Sequence, residues 1–395
     1  MRKSRRRKKS GISIKYLISF MILLLVSVGA YFTFNNVKAN TSTEAYIAQN
    51  HEFKQTEQSF KPYTTSMTLA AIGDILIHGT VYNDANTGAG YDFKPMIANV
   101  KDLLESPDLT IANQETIVGG TEIGLSTYPS FNSPFEVADA FKDAGVDIVS
   151  IANNHTLDRG EKAIIRATDY LNKIGMEYTG GYQSFEDKSK IRVLNRNGIS
   201  IAFLSYTYGT NGIPVPKGKE YLVNLIEMDA IKEDITAAKQ VADVITVSMH
   251  WGNEYQLYPN DYQKELAQQL ADEGVDLIIG HHPHVLQPMD WLTGKEGNRT
   301  FVVYSLGNFL SGQMKDYKDI GGVLNVEIVK EVKSKDETII RIENPQFTPT
   351  YVTNNNYKNF KVVPLQNAKS FGLSNAPSKY EEMTHHMNQW INKEQ

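Results

Sequence analysis

The tightest constraint in this chain is the stretch Val275-Asp276-Leu277-Ile278-Ile279-Gly280-His281-His282-Pro283-His284. Its apolar run is short, β-branched and stopped by a glycine, the pattern of a buried strand ending in a turn that carries three histidines. Side chains alternate along an extended segment, so His282 and His284 are expected on one side and His281 on the other. His282 and His284 are therefore the expected ligand pair for a metal. Histidines of a surface loop give the same pattern, but a second copy weighs against that. Asp143-Ala-Gly-Val-Asp-Ile-Val-Ser-Ile-Ala-Asn-Asn-His155 aligns with Asp272-Glu-Gly-Val-Asp-Leu-Ile-Ile-Gly-His-His-Pro-His284. Each reads as a helix end, a glycine stop, Val-Asp, an apolar strand and polar residues where the strand ends, which is an αβ unit. An open α/β sheet gathers ligands outside the carboxyl ends of its strands, so Asn154, His155, His282 and His284 are expected on one rim.

Other predicted strands end in the same way. Met67 to Asp74 closes on Gly-Asp, Asp108 to Glu115 on Asn113 and Glu115 two apart, and Val244 to His250 on a histidine. Ile199 to Thr207 and Phe301 to Phe309 complete the series, and a Gly- and Pro-containing loop after Thr207 is long enough to flank a site. Five strand ends that carry histidine or carboxylate point to a shared metal site. With imidazole, carboxylate and amide oxygen and no cysteine, the expected cations are Mn, Zn or Fe, one or two ions, two of them bridged. Asp158 reads as the cap of the helix Glu161 to Ile174. Val323 to Val329 and Thr338 to Ile342 read as a hairpin. His385 and His386, on a helical segment from Tyr380 to Ile391, read as surface residues.

The chain has 395 residues, 41% of them hydrophobic and 22% charged, the composition of a globular protein. The absence of cysteine excludes disulfides, thiolate metal sites and a lipidated N-terminal cysteine. Residues 1–15 hold eight cations and no acid, and Tyr16 to Val37 carries no charge. Nineteen residues from Tyr16 span about 28 Å at about 1.5 Å each, close to a bilayer's apolar thickness. Residues 16–37 are therefore expected to be a transmembrane signal anchor, with 1–15 cytoplasmic and the main domain extracellular, a single-pass cell-membrane protein; a cleaved signal peptide is the rival reading. Residues 38–66 read as a polar extracellular linker. Removing the eight cations from a net −5 leaves −13 for the remainder, which argues against nucleic acid as a partner.

With these residues assembled, the chain resembles the CapA/PgsA family of poly-γ-glutamate capsule synthesis proteins, whose domain belongs to the calcineurin-like metallophosphatase superfamily. The resemblance runs from Met67 to Gly322 on Gly73-Asp74, Asn113-Gln-Glu115, Asn153-Asn-His155, His250-Trp-Gly-Asn-Glu254, His282-Pro-His284 and Ser305-Leu-Gly-Asn-Phe309. It implies a four-layer α/β/β/α sandwich over 67–352, preceded by the membrane helix and followed by a tail at 353–395. It further implies Asp74, Glu115, Asn154, His250, His282 and His284 as metal ligands and His155 as general acid or electrostatic stabiliser. The usual Asp-x-His, Gly-Asp-x-x-Asn and Gly-Asn-His-Asp patterns are altered here, with His78 four residues after Asp74 and Asp158 the nearest acid to His155. Implied partners are capsule synthetase and export membrane subunits, and poly-γ-glutamate or another envelope substrate. Three readings stay open: an accessory protein of polymer synthesis or export, an envelope hydrolase of phosphoesters or of the polymer, and a non-catalytic surface protein.

Overall fold

The structure is a computed structural model that describes Ser27 and residues 60–391. Its strands are β1 (Tyr63–Leu76), β2 (Leu109–Asn113), β3 (Ile148–Ser150), β4 (Glu177–Thr179), β5 (Arg192–Arg196), β6 (Ile199–Thr207) and β7 (Val244–His250). They continue with β8 (Leu277–His281), β9 (Leu286–Thr293), β10 (Arg299–Leu306), β11 (Asn308–Ser311), β12 (Ile320–Val332), β13 (Thr338–Thr353) and β14 (Lys361–Pro364). The longer helices are α1 (Glu136–Asp143), α2 (Gly160–Ile174), α3 (Met228–Ala238), α4 (Asp261–Asp272) and α5 (Ala376–Asn388).

Two mixed sheets organise these strands. One runs β14-β13-β12-β1-β2-β3-β4, with β11 added beside β1; the other runs β5-β6-β7-β8-β10-β9. The αβ units supply the parallel pairs β1–β2, β2–β3, β6–β7 and β7–β8. The hairpin predicted near 323–342 is the antiparallel pair β12–β13.

Alternation along each strand separates two layers of core. Met67, Leu69 and Ala71 of β1 meet Ile199, Ile201, Phe203, Leu277 and Ile279 of the second sheet. The opposite faces carry Ala70, Ile72 and Val149 under Phe141 of α1 and Ile164 and Leu171 of α2. On the second sheet, Leu204, Val247 and Ile278 lie under Ile235 of α3 and Leu266 and Leu270 of α4. Both sheets thus face each other and carry helices on their outer sides, an α/β fold.

The Val-Asp signature acquires a physical reason at the amino ends of the strands. Asp108, Asp147, Asp243 and Asp276 each stand one residue before a strand. Each accepts the backbone N–H of the neighbouring strand, from Thr68 at 2.8 Å, Thr110 at 2.9 Å, Ser200 at 2.9 Å and Ile245 at 2.8 Å. These bonds satisfy donors that the start of the ladder leaves unpaired and fix the register. The opposite, carboxyl ends are left for chemistry.

Two expectations are corrected here. No helix of the described residues is long and apolar enough to cross a membrane, so the single-pass anchor, and the cell-membrane and extracellular placement built on it, are not sustained. The described helices instead lay one apolar face on a sheet, and even α2, with 15 residues, reaches only about 22 Å. The predicted span 16–37 and linker 38–66 lie, apart from Ser27 and the residues from Phe60 onward, outside the described residues. His386 is buried rather than a surface residue, its Nε2 3.1 Å from the carbonyl of Leu286. Met383 and Met387 bring that face of α5 into the core between the sheets.

Candidate metal centre

The carboxyl ends of β1, β2 and β3 from one sheet and of β7 and β8 from the other converge on one buried cluster. Asp74 is aimed by what precedes it. A Cβ on Gly73 would stand 2.0 Å from the Gly307 carbonyl, and that close approach lets the Asp74 N–H bond the same oxygen at 2.8 Å. Asn113, at the end of β2, donates from Nδ2 to Asp74 Oδ1 at 2.8 Å, and Glu115 follows two residues on, fully buried. After β3, Asn153 ties the turn by donating to the Gln114 carbonyl and accepting from the His155 N–H. Asn154 then places Oδ1 2.9 Å from His250 Nε2.

Imidazoles close the cluster from the second sheet. His284 Nδ1 lies 3.0 Å from Asp74 Oδ2 and its Nε2 3.6 Å from Glu115 Oε1. His250 Nε2 lies 3.7 Å from the same Glu115 oxygen. Two groups have ligand atoms all within 4.8 Å of one another: Glu115, His282 and His284, and Asp74, Glu115 and His250. Glu115 belongs to both, so one carboxylate could serve both groups.

The donor set fits a divalent cation. Both oxygens of Glu115, Nδ1 of His282, both ring nitrogens of His281 and Oδ1 of Asn113 are buried with no hydrogen-bond partner. Unpaired buried carboxylate is costly unless a charge compensates it. Burial, then the charge of Asp74, push the Glu115 carboxyl well above its ordinary range. Burial also acts upward on Asp74, but the close imidazoles of His281 and of His284, the latter within hydrogen-bond distance at 3.0 Å, outweigh it and hold this carboxyl well below its ordinary range. Burial and then neighbouring imidazoles depress His250 well below the usual value and His282 to about 3. His250 and His282 are thus held neutral and Asp74 anionic, the protonation states that metal ligands require, while Glu115 would give up its proton to a bound cation.

The structure therefore gathers Asp74, Glu115, Asn154, His250, His282 and His284 in one place, with His155 at its edge. It also adds residues that sequence reasoning missed. His281, expected on the far side, places Nδ1 3.4 Å from Asp74 Oδ1. The alternation fails because His282 and His284 have φ of 96° and 59°, which turns the chain out of an extended path. Asp158 does not cap α2: Arg159 occupies the cap position and makes no side-chain cap bond. The Asp158 carboxylate instead accepts the Phe131 N–H at 2.7 Å and lies 2.7 Å from His155 Nδ1. Two aromatic residues flank the cluster, Tyr208 with its ring 4.6 Å from that of His282 and Tyr255 6.2 Å from that of His284. Loop tyrosines carry no periodic signal; the altered Asn-Asn-His-x-x-Asp158 order was the one hint for Asp158.

Comparison with known proteins then places the chain. Residues 68–313 match the family described as bacterial capsule synthesis protein PGA_cap. The chain belongs to that family. It is 31% identical over 258 residues to the capsule biosynthesis protein CapA of Bacillus anthracis, covering 62% of this chain and 60% of that one. It is 34% identical over 180 residues to the PGA biosynthesis protein CapA of Bacillus subtilis (strain 168), covering 45% and 46%. The chain thus spans about half the length of the curated relatives it matches. Among solved structures, Haemophilus influenzae NAD nucleotidase is similar at 14% identity and a TM-score of 0.45, covering 81% of this chain and 67% of that one. This PGA_cap chain thus carries its family's sequence on the segment that holds every residue of the cluster.

Proposed function

We propose that this PGA_cap protein acts in poly-γ-glutamate capsule formation as a metal-dependent hydrolase of the γ-linked polymer. The observation that carries the reading is the pair of donor groups sharing Glu115 beside the His155–Asp158 couple. Asp74, Glu115, Asn154, His250, His282 and His284 would hold one or two Mn, Zn or Fe ions. Such ions supply Lewis-acid polarisation of an acyl oxygen and activate water near neutral pH.

The chain's own residues supply the proton handling. Asp158 holds Nδ1 of His155, which leaves Nε2 to hand a proton to the departing amide nitrogen as the carbon–nitrogen bond breaks. The ring of Phe131 meets His155 edge-on at 4.7 Å and fixes its plane. Asn154 Oδ1 lies 2.9 Å from His250 Nε2, so these two donors converge on one point. Tyr208 covers the His250 and His282 rings and limits access of bulk water.

The test is incubation of the metal-loaded chain with γ-linked glutamate oligomers, read by chromatography. Shorter oligomers are expected, together with their loss in a His155→Ala variant that keeps its metal. Intact oligomers with a fully metal-loaded, folded wild type would overturn the hydrolase reading.

A further inference from the structure

Residues 312–319 join β11 to β12 beside the cluster, and their backbone is strained. Lys315, Asp316 and Tyr317 are three consecutive non-glycine residues with φ of 67°, 50° and 67°. Left-handed backbone crowds Cβ in any residue but glycine, so it persists only where surroundings impose it. Here they do. The Tyr317 hydroxyl donates to Glu382 of α5 at 2.7 Å, and Lys379 Nζ lies 4.3 Å over the Tyr317 ring. Asp319 accepts the Lys315 N–H at 3.2 Å, and Asn308 Nδ2 donates to the Lys318 carbonyl at 2.8 Å.

What the enforced turn achieves is the placement of one cation. Lys318 Nζ stands 5.1 Å from the centre of the Tyr255 ring, the ring that borders His284. Gln313 Nε2 donates to the Tyr255 hydroxyl at 3.3 Å, and that hydroxyl also engages Glu254. The Lys318 side chain is 23% exposed, held yet reachable, whereas its ion-pair partner Asp316, 3.3 Å away, is 85% exposed and a weak competitor. A chain with −13 outside its first fifteen residues has here a cation on the lip of its buried cluster.

We propose that Lys318, held over Tyr255 next to His284, is a subsite for a carboxylate of the substrate, with the Tyr255 face against the substrate's methylene arms. The proposal rests on the polymer reading above and gives it a specificity: a γ-linked chain offers one free carboxylate per residue, so binding one residue's carboxylate at Lys318 orients the neighbouring amide.

The experiment measures equilibrium binding to the metal-loaded full chain in a His155→Ala background, so that substrate is not consumed. Lys318→Met and Lys318→Arg are compared after thermal melts confirm the fold. The probes are a γ-linked glutamate oligomer, its α-carboxamide counterpart and the small tricarboxylate tricarballylate. Lys318→Met is expected to weaken the glutamate oligomer about fivefold, the upper end for a partly exposed charge pair. The loss should shrink at high salt, arginine should restore binding, and the neutral oligomer should not distinguish the variants. Equal binding of the glutamate oligomer by wild type and Lys318→Met overturns the subsite and leaves the polymer reading standing. Lys318-dependent binding of tricarballylate without binding of the oligomer keeps the subsite and removes the polymer. Binding of neither overturns the subsite.

Discussion

His155 Nδ1 lies 2.7 Å from the carboxylate of Asp158, and the same carboxylate accepts the Phe131 N–H at 2.7 Å. One buried acid therefore fixes both the imidazole and the backbone beneath the aromatic ring that packs on it. Asp158→Asn keeps an acceptor for Phe131 but removes the charge that orients and stabilises the imidazolium. Turnover of γ-linked oligomers should fall about a hundredfold, within the range of a general acid's contribution, with metal content unchanged. Unchanged turnover would remove Asp158 from the proton path.

Glu115→Gln separates electrostatics from packing. Because the Glu115 carboxyl is raised by burial and by Asp74, folding of the metal-free protein takes up a proton there. That part of its stability is present at low pH and is lost as pH rises above the ordinary carboxylate range. The metal-free variant should be more stable than metal-free wild type at neutral pH, by about 1 kcal/mol or more. It should also lose the stabilisation that added metal gives wild type. Thermal melts with and without metal at two pH values check both signs.

Asp276 tests a site far from the cluster. Burial pushes its carboxyl from 3.8 up to about 6, against the hydrogen bond from Ile245. Folding therefore takes up a proton between these values, and stability falls as pH rises through that window. Asp276→Asn keeps an acceptor for the Ile245 N–H and removes the charge. Denaturant unfolding should show the wild type losing about 1 to 2 kcal/mol between pH 4 and 6.5 that the variant retains, a figure discounted for partial exposure.

Gly280 immediately precedes the histidine run. A Cβ there would stand 1.9 Å from the Tyr304 carbonyl and 2.7 Å from Trp251 Nε1. Gly280→Ala must push β8 away from β10, and a loss of about 3 kcal/mol is expected in denaturant unfolding, with weakened metal binding. A variant as stable as wild type would show that the strands approach less closely.

The parts of this fold that follow a period were legible from the residues. The aligned segments ending at His155 and His284 announce parallel αβ units, and the strand ends that carry Asp74, Glu115 and His250 converge because those units share a polarity. What escaped depends on backbone that leaves the period. His281 joins Asp74 because φ turns positive at His282 and His284, and nothing in the residue types marks that. Asp158 read as a helix cap because an acid before a helix is locally favourable; its long-range bond to Phe131 outcompetes that role. His386 lies where the closing helix meets the core, a contact set by the whole topology.

Glu115 is shared by two donor groups, and the proposed function requires that together they hold metal. The most direct measurement is elemental analysis of the purified full-length chain beside a His282→Ala, His284→Ala double variant whose fold is confirmed by thermal melting. About one to two Mn, Zn or Fe are expected per wild-type chain, with loss of metal in the variant. A folded wild type that takes up none of these metals, even when they are supplied in excess, would contradict that requirement.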